Sequence, residues 1–260
     1  MDHSHPVMDP ILRIEQLTKV YPNGVQALTD VSFDVPRGQF VAVIGLSGSG
    51  KSTLLRCINR LVEPTSGRVI FDGVDVTACN DAALRRVRRR IGMIFQHFNL
   101  VSRSSVQTNV LAGRLGYVNP IWSLLNRFSA TDLKKARAQL ERVGLADKGG
   151  NRADALSGGQ QQRVGIARAL MQDPALILAD EPVASLDPVL AHSIMKHLDQ
   201  INRDDGVTVL CSLHFLDLVH AYADRVVALN EGKLMFDGLP SEIDDAKFKE
   251  IYGKEAERVG

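Results

Sequence analysis

The sequence predicts an α/β fold with a mostly parallel sheet, an antiparallel β layer at one edge and an inserted helical subdomain. Unbroken apolar runs at 40–44 and 176–179 are typical of strands that a parallel sheet buries on both faces. Turn sequences at 22–24 and 36–38 separate the early apolar runs and favour an antiparallel layer there. From about Ser105 to Leu170 the apolar spacing is helical, which predicts the insertion.

The predicted strands are short and rich in apolar and β-branched residues. They cover residues 11–17, 31–35, 40–44, 69–71, 91–95, 176–179, 207–211, 226–229 and 234–236. Helical spacing in the middle of the chain is clearest at Leu133, Ala136, Leu140 and Val143. We interpret the chain as one domain over residues 1–260, with a core and β layer at 1–96 and 172–260 and a helical subdomain at 97–171.

Composition excludes several classes of protein. The chain has 260 residues, a net charge of +1 and three cysteines without CxxC spacing, which favours a reducing compartment over a disulfide framework. The run Met1–Pro6 lacks the basic start and apolar core of a secretory signal. No run approaches the roughly 18 apolar residues of a membrane span, so any membrane role is expected to come through a partner.

A basic run is the one local exception to the balanced charge. It consists of Arg85, Arg86, Arg88, Arg89 and Arg90. A solvated helix face is the favoured interpretation, and a docking surface or nucleic-acid patch is the alternative. Because no aromatic residues interleave with the arginines, we predict no nucleic-acid partner.

A glycine-rich loop between a predicted strand and a predicted helix matches G-x-x-x-x-G-K-[ST]. Its residues are Gly45, Leu46, Ser47, Gly48, Ser49, Gly50, Lys51 and Ser52. The loop amides and the helix N-terminus are expected to surround phosphate oxygens. Lys51 is expected to reach the β- and γ-phosphates of a nucleotide, and the Ser52 hydroxyl to ligate Mg²⁺. An ordinary glycine turn would not require Lys and Ser after the last glycine.

Two adjacent carboxylates, Asp180 and Glu181, follow the apolar run 176–179. The carboxyl edge of such a sheet is where open α/β folds bind ligands. We expect Asp180 to hold Mg²⁺ and Glu181 to polarise the attacking water. A cap on the next helix is the alternative, since Pro182 suits a helix start.

His214 and Gln96 also follow predicted strands. His214 is expected to hydrogen-bond the γ-phosphate and to orient Glu181 and water. Gln96 can offer an amide oxygen to Mg²⁺ or water, although its spacing alone indicates only a polar strand end.

A second helix start with phosphate-binding character lies in the helical insertion. Its residues are Leu156, Ser157, Gly158, Gly159 and Gln160. Ser157 and Gln160 have the spacing of a capping box. Two glycines weaken a first helical turn, a cost that is explained if a ligand approaches the backbone closely. Because a polar loop at 147–152 precedes it, this site need not share the sheet edge of Lys51, and its phosphate is expected to belong to another copy of the chain.

Together these residues resemble the ATP-binding subunits of ABC transporters over nearly the whole chain. The resemblance implies a P-loop NTPase core of the RecA-like type, with 45–52 as its Walker A loop, 176–180 as its Walker B strand and 156–160 as its signature. It implies Glu181 as the catalytic base, Gln96 as the Q-loop and His214 as the switch histidine. Three further residues correspond to its D-loop: Ser185, Leu186 and Asp187. Tyr21 resembles the aromatic that stacks on adenine, and the resemblance implies that Thr53 is also an ATP-binding residue.

The resemblance also implies partners and a location. Two subunits are expected to pack head to tail as a homodimer around two ATP molecules, each bound by Walker A of one chain and the signature of the other. Two membrane permease subunits would bind the dimer at the cytoplasmic face of the cell membrane, and an extracytoplasmic solute-binding protein would act on it indirectly. ATP hydrolysis would then be coupled to transport, with ATP and Mg²⁺ bound.

A closer likeness is to the ATP-binding subunits of phosphonate importers. The stretches with this likeness are 59–67, 98–106, 109–117, 122–125 around Trp122, and 180–188. They favour phosphonate import, although no physical mechanism connects these stretches to the choice of solute. An importer of another small solute, such as an amino acid or a phosphate-like anion, is an alternative. The second alternative is an ABC ATPase that has no role in transport and acts on DNA, on ribosomes or in regulation.

Overall fold

Ten strands and eight helices form the part of the chain that the structure describes. The structure is a computed structural model that describes residues 9–118 and 128–252. Its strands are β1 Leu12–Val20, β2 Gln26–Val35, β3 Phe40–Ile44, β4 Ser66–Phe71, β5 Val74–Asp75, β6 Ile91–Ile94, β7 Leu176–Ala179, β8 Thr208–Ser212, β9 Arg225–Asn230 and β10 Lys233–Gly238. Its helices are α1 Lys51–Ile58, α2 Asp81–Arg89, α3 Val106–Leu111, α4 Ala130–Arg142, α5 Gly158–Leu170, α6 Pro188–Asp205, α7 Leu216–Tyr222 and α8 Asp245–Tyr252.

The larger sheet has six strands in the order β10-β9-β3-β8-β7-β6. All its pairings are parallel except that between β10 and β9. The predicted parallel sheet is confirmed. Because β3, β8, β7 and β6 run the same way, the residues that follow them meet at one edge.

The antiparallel layer is a separate four-stranded sheet in the order β2-β1-β4-β5. Its pairings are all antiparallel. The short strand β5 was not among the predicted strands. Two residues between turns give too little periodicity to identify a strand from sequence.

The six-stranded sheet separates two hydrophobic cores. Phe40, Ala42 and Ile44 of β3 belong to the core shared with α5 and α6. Val41 and Val43 belong to the core shared with α1 and the antiparallel sheet. All five are fully buried, which confirms that this apolar run has both faces covered.

The middle of the chain is helical, with α3, α4 and α5 in mutual contact. Ala136, Leu140 and Val143 are buried as their spacing predicts. Leu133 lies in α4, as its helical spacing predicts, but its side chain is 36% exposed and so is not part of the buried face. The likeness around Trp122 lies outside the described residues.

Helix α1 is shorter than its apolar pattern indicates. Leu54, Leu55 and Ile58 are buried, but Leu61 lies beyond the end of the helix and is 51% exposed. Arg60 has a φ of 52°, a left-handed conformation that a continuing α-helix does not allow. The apolar pattern, which continues at helical spacing to Leu61 and Val62, therefore predicts a helix about one turn longer than the one that forms.

The solvated helix face predicted for the basic run holds for Arg85, Arg86 and Arg90, which are exposed, but not for Arg88. The guanidinium of Arg88 is half-buried and donates to the backbone oxygens of Asn59 at 2.9 Å and Arg60 at 2.7 Å. Burial, followed by the charge of Arg60, lowers the pKa of Arg88. The run thus contributes a structural link between α2 and the end of α1.

Two further observations concern the cysteines and the lengths of the helices. Cys57 and Cys211 are buried, and burial raises the pKa of Cys57 to about 12, so this thiol stays protonated and apolar in character. Within residues 9–118 and 128–252, no helix is both long and apolar enough to span a bilayer.

Candidate functional site: a phosphate loop and the adjoining strand ends

The glycine-rich loop leaves β3 and enters α1, as the motif requires. Gly48 and Gly50 have φ values of 80° and 105°, in the region that favours glycine. A Cβ on Gly45 would lie 2.1 Å from the backbone oxygen of Leu229 on β9, so only glycine allows this approach. At Gly48, by contrast, a Cβ would meet nothing within 4 Å, which leaves the loop open on that side.

Lys51 begins α1 and folds back over the loop. Its side chain is buried, and Nζ donates to the backbone oxygens of Gly45 and Leu46, both at 2.9 Å. Burial lowers the pKa of Lys51, while the charges of Glu181 and Asp180 oppose that shift. The lysine and the two carboxylates therefore belong to one electrostatic site.

Asp180 is a buried carboxylate of this site whose position is fixed by hydrogen bonds. It is 1% exposed and directly follows β7, where its amide donates to the backbone oxygen of Ile94 at 2.9 Å. The Ser52 hydroxyl donates to Oδ1 of Asp180 at 2.6 Å. The structure thus brings together Ser52 and Asp180, two of the three residues that the sequence assigned to Mg²⁺.

The second carboxylate, Glu181, lies beside His214. Nε2 of His214 and Oε1 of Glu181 are 2.6 Å apart. Both side chains are partly buried, with 31% of the histidine and 16% of the glutamate exposed. This contact places the expected base and the expected switch histidine in one hydrogen-bonded pair.

Gln96 and Tyr21 lie at the borders of the site. Gln96 is half-buried two residues beyond the end of β6, one residue further than predicted because the strand ends at Ile94. The Tyr21 hydroxyl is 3.3 Å from Oγ1 of Thr53, the residue after Ser52. Tyr21 is therefore adjacent to the first turn of α1 rather than isolated in a surface turn.

The predicted capping box at the start of α5 is present. Ser157 Oγ accepts from the Gln160 amide at 3.4 Å, and Gln160 Oε1 accepts from the Ser157 amide at 3.1 Å. Ser157 and Gly158 are exposed, whereas Leu156 is buried. The helix start consequently presents its unpaired amides to a ligand or partner.

The two glycines of this segment have different surroundings. Gly159 is buried, and a Cβ there would lie 3.2 Å from Leu190, so packing against α6 explains why glycine is needed. A Cβ on Gly158 would be in ordinary contact with Leu186 at 3.7 Å. Packing therefore gives a separate reason for glycine at position 159, and the access of a ligand to the backbone amides of both glycines stays a prediction.

The expected D-loop adjoins this helix start. Asp187 caps α6, where Oδ1 accepts from the Leu190 amide at 3.0 Å. Leu186 is half-buried against the helical core, while Ser185 is exposed. The segment that follows Glu181 thus connects the strand-end carboxylates to the surface of α5.

The residues present fit a polyphosphate. Ser49 Oγ is buried within the loop without a hydrogen-bond partner, and a Cβ on Gly48 would meet nothing within 4 Å. The Ser49 amide donates to the Leu46 backbone oxygen at 3.1 Å. It is therefore not available to bind phosphate, unlike the amides that the sequence predicts to surround the phosphate oxygens.

The donors also fit Mg²⁺. No group of three His, Cys, Asp or Glu side chains converges on one point among the described residues. A cation here would use the Ser52 hydroxyl, the Asp180 carboxylate and oxygens from phosphate and water, which is how Mg²⁺ is commonly bound.

Sequence reasoning missed two polar residues of this site. Arg56 Nη2 is 3.1 Å from Oδ2 of Asp180, and its position four residues after Ser52 on the same helix face was the available signal. Ser212 Oγ accepts from the Glu181 amide at 2.8 Å. Its signal was a polar residue at the end of an apolar strand, two residues before His214.

Comparison with known proteins adds the family. A family model described as ABC transporter matches residues 28–184, more than half of the chain. A phosphonates import ATP-binding protein of Bdellovibrio bacteriovorus is 54% identical over 97% of this chain and 97% of its own length. Another, from Halalkalibacterium halodurans, is 49% identical over 94% of this chain and 95% of its own.

Solved structures of similar fold are ATP-binding cassettes. The dimeric post-hydrolysis state of the cassette MJ0796, bound to ADP and Pi, has a TM-score of 0.78 and 33% identity, covering 88% of this chain and 98% of that one. The cbiO1 protein of Clostridium perfringens, part of an ABC transporter complex, has a TM-score of 0.78 and 31% identity, covering 93% of each chain. With the phosphate loop, strand-end carboxylates and capped α5 helix, these matches establish that the chain is an ATP-binding cassette of the ABC transporter family.

Proposed function

We propose that this chain binds and hydrolyses ATP to power an ABC importer for phosphonates. The observation that carries the proposal is that Lys51 and Ser52, at the start of α1, lie close to Asp180 and to the Glu181–His214 pair. The named relatives, which match nearly the full length of this chain, support the phosphonate assignment.

Nucleotide binding begins with the loop. The remaining inward amides, the α1 N-terminus and Lys51 attract the β- and γ-phosphates. Lys51 Nζ donates hydrogen bonds to the backbone oxygens of Gly45 and Leu46. Its N–H groups can donate to phosphate oxygens instead when a nucleotide binds. Tyr21 provides a ring face for adenine near Thr53.

Ser52, Asp180 and Gln96 are the residues that would hold Mg²⁺ beside the phosphates. The ion, when bound, neutralises phosphate charge and lowers the barrier to phosphoryl transfer. Ser52 and Asp180 are already 2.6 Å apart through their hydrogen bond, so this half of the cation site is assembled.

Hydrolysis requires a base beside the γ-phosphate. Glu181 accepts the proton of the attacking water through its carboxylate, and His214 orients that carboxylate across the 2.6 Å contact. As negative charge develops on the γ-phosphoryl oxygens, Lys51 and the His214 imidazole stabilise it.

The exposed start of α5 supports a site shared between two chains. Ser157 and Gly158 present helix-terminal amides at the surface. In a head-to-tail homodimer these amides close on the γ-phosphate that Lys51 of the partner binds. ATP then acts as the contact between subunits, and its hydrolysis releases them.

A basic cleft supports contact with membrane permease subunits. A cavity of about 200 Å³ between α2 and the segment after α3 includes Arg85, Arg88, Arg89 and Tyr117 in its lining, and none of its described lining residues is acidic. The buried Nε of Arg89 has no hydrogen-bond partner. An acidic side chain of a permease subunit would pair with these arginines. This contact would hold the chain at the cytoplasmic face of the membrane.

Growth on a phosphonate as sole phosphorus source tests the proposal. Cells lacking this chain should fail to grow on the phosphonate and should grow normally on inorganic phosphate. The wild-type chain should restore growth, and Lys51→Ala, the matched control, should not. Growth on the phosphonate without this chain would overturn the solute assignment.

A biochemical test separates the classes of ABC ATPase. We expect two permease subunits to co-purify with the chain, and a phosphonate-loaded extracytoplasmic binding protein to stimulate ATP hydrolysis. Stimulation by a protein loaded with an amino acid would point to another solute. Salt-sensitive DNA binding without permease association would indicate a non-transport ATPase.

A further inference from the structure

Glu181 has an unusual backbone conformation for its residue type. Its φ of 48° lies in the left-handed region, where a side chain with a Cβ is strained. Such conformations persist only where surrounding contacts hold them, and they are frequent at functional sites. Something must therefore fix the backbone at this residue.

The Ser212 hydroxyl is the group that contacts this backbone. Ser212 Oγ accepts from the Glu181 amide at 2.8 Å and donates to the Ala179 backbone oxygen at 3.4 Å. These two partners flank Asp180, so a single hydroxyl spans the turn that follows β7. Ser212 is 0% exposed, and it lies at the end of β8 beside β7 and β3.

The same strand end also positions the Glu181 side chain. His214, two residues after Ser212, contacts the carboxylate at 2.6 Å. The Leu213 amide between them donates to the Val43 backbone oxygen at 3.0 Å, which ties the segment to β3. The backbone and the carboxylate of Glu181 are thus held from one short segment.

We propose that Ser212 is a positioning residue for ATP hydrolysis, whose hydroxyl holds the Glu181 backbone in the conformation that directs its carboxylate to His214. The proposal rests on the proposed function, in which Glu181 is the base. Because Ser212 is fully buried, its effect passes through Glu181 rather than through contact with nucleotide or water.

Steady-state hydrolysis by the full-length chain at saturating MgATP tests this role. In Ser212→Ala we expect kcat to fall about tenfold to a hundredfold, because small misplacement of a catalytic group has large effects on rate. KM and the Kd for ATP should stay within about twofold, since transition-state positioning rather than binding is lost. Ser212→Thr, which keeps the hydroxyl, should restore most of kcat.

Thr208 offers a matched control on the same strand. It is also 0% exposed, and its Oγ1 accepts from the Gly38 amide at 2.9 Å, away from the strand ends that form the site. Thr208→Val should lower the melting temperature as Ser212→Ala does while leaving kcat within about twofold. An equal loss of kcat in both variants would show a general structural effect and overturn the proposal.

A double-mutant cycle with Glu181→Gln separates this proposal from the proposed function. If Ser212 acts through Glu181, adding Ser212→Ala to Glu181→Gln should cause no further loss of kcat. Full additivity, or a wild-type kcat in Ser212→Ala, would overturn the positioning role alone. A wild-type kcat in Glu181→Gln would instead overturn the base assignment.

Discussion

Nε2 of His214 lies 2.6 Å from Oε1 of Glu181, although 33 positions separate the two residues in the chain. The parallel pairing of β7 with β8 makes this possible, because both residues follow strands that end at the same sheet edge. The proposed base and the histidine proposed to orient it are therefore brought together by the pairing of the two strands.

Glu181→Gln should separate ATP binding from hydrolysis. The amide keeps the shape of the side chain but cannot accept the proton of the attacking water, so kcat should fall by about 10²- to 10⁴-fold. The Kd for ATP should change little, and an ATP-bound dimer should accumulate. Phosphate release and light scattering measure the two effects. Hydrolysis at the wild-type rate would contradict the assignment of the base.

Ser157→Arg should block the site shared between two chains while leaving ATP binding by the phosphate loop intact. A long cation at the exposed start of α5 obstructs a partner's γ-phosphate, so ATP-driven dimerisation and hydrolysis should be lost while the monomer binds ATP. Size-exclusion chromatography with ATP and isothermal titration measure both properties. A monomer that hydrolyses ATP at full rate would contradict the proposal.

Asn80→Arg is the matched control for the Ser157 variant. Asn80 is also an exposed N-cap, with its side chain accepting from the Ala83 amide at 2.9 Å, but it caps α2. Loss of either cap should cost about 0.5–2 kcal/mol of stability. Only the Ser157 change should abolish dimerisation.

Tyr21→Ala should weaken ATP binding, and Tyr21→Phe should not. Loss of an aromatic stacking contact of about 0.5–1.5 kcal/mol raises the Kd by about twofold to tenfold. Phenylalanine keeps the ring and removes only the 3.3 Å contact with Thr53. Titration calorimetry checks both variants. An equal loss in both would indicate that the hydroxyl, rather than the ring, contributes to binding.

Arg85→Glu should uncouple the chain from its permease. Arg85 is exposed and lines the basic cleft, so reversing its charge should repel an acidic partner without disturbing the core. Arg86→Glu, an exposed neighbour that is not among the lining residues of the cleft, is the control. We expect basal hydrolysis to persist in both, with stimulation by the permease lost in Arg85→Glu alone. Full stimulation of that variant would exclude the cleft as the contact.

Asp132 should contribute to stability in a pH-dependent way. Burial alone would raise the pKa of Asp132, but hydrogen bonds from Ser129 and Arg114 and the charge of Arg114 outweigh it and lower the pKa below 3.8. A lowered pKa means stabilisation that is present above about pH 3.8 and is lost as pH falls through the folded-state value.

Urea unfolding of Asp132→Asn checks this sign. At pH 7 the variant should lose about 1–3 kcal/mol, because Nε of Arg114 keeps no charged acceptor at 2.9 Å. The difference from wild type should shrink toward acid pH. Asp154→Asn, at a fully exposed pair with Arg152, should have little effect at any pH. A constant difference across pH would refute the linkage to Asp132.

Each error in the sequence prediction has a physical cause that the local sequence pattern does not contain. Leu61 carries an apolar side chain in helical register, yet the left-handed Arg60 ends the helix before it. The strand Val74–Asp75 was not predicted, but its pairing with β4 makes it part of the sheet. In each case a contact or a backbone conformation outside the local pattern decided the outcome.

The sequence by itself determined the features that depend on neighbours along the chain. The phosphate loop between β3 and α1 and the Ser157–Gln160 capping box follow from residue types a few positions apart. Local conformational preferences and short-range hydrogen bonds are sufficient for both. The order β3-β8-β7-β6, the Glu181–His214 contact and the hydrogen bond between Ser212 and the Glu181 amide depend on strands far apart in sequence. Only tertiary structure decided these, because strand pairing and packing select partners that no local pattern specifies.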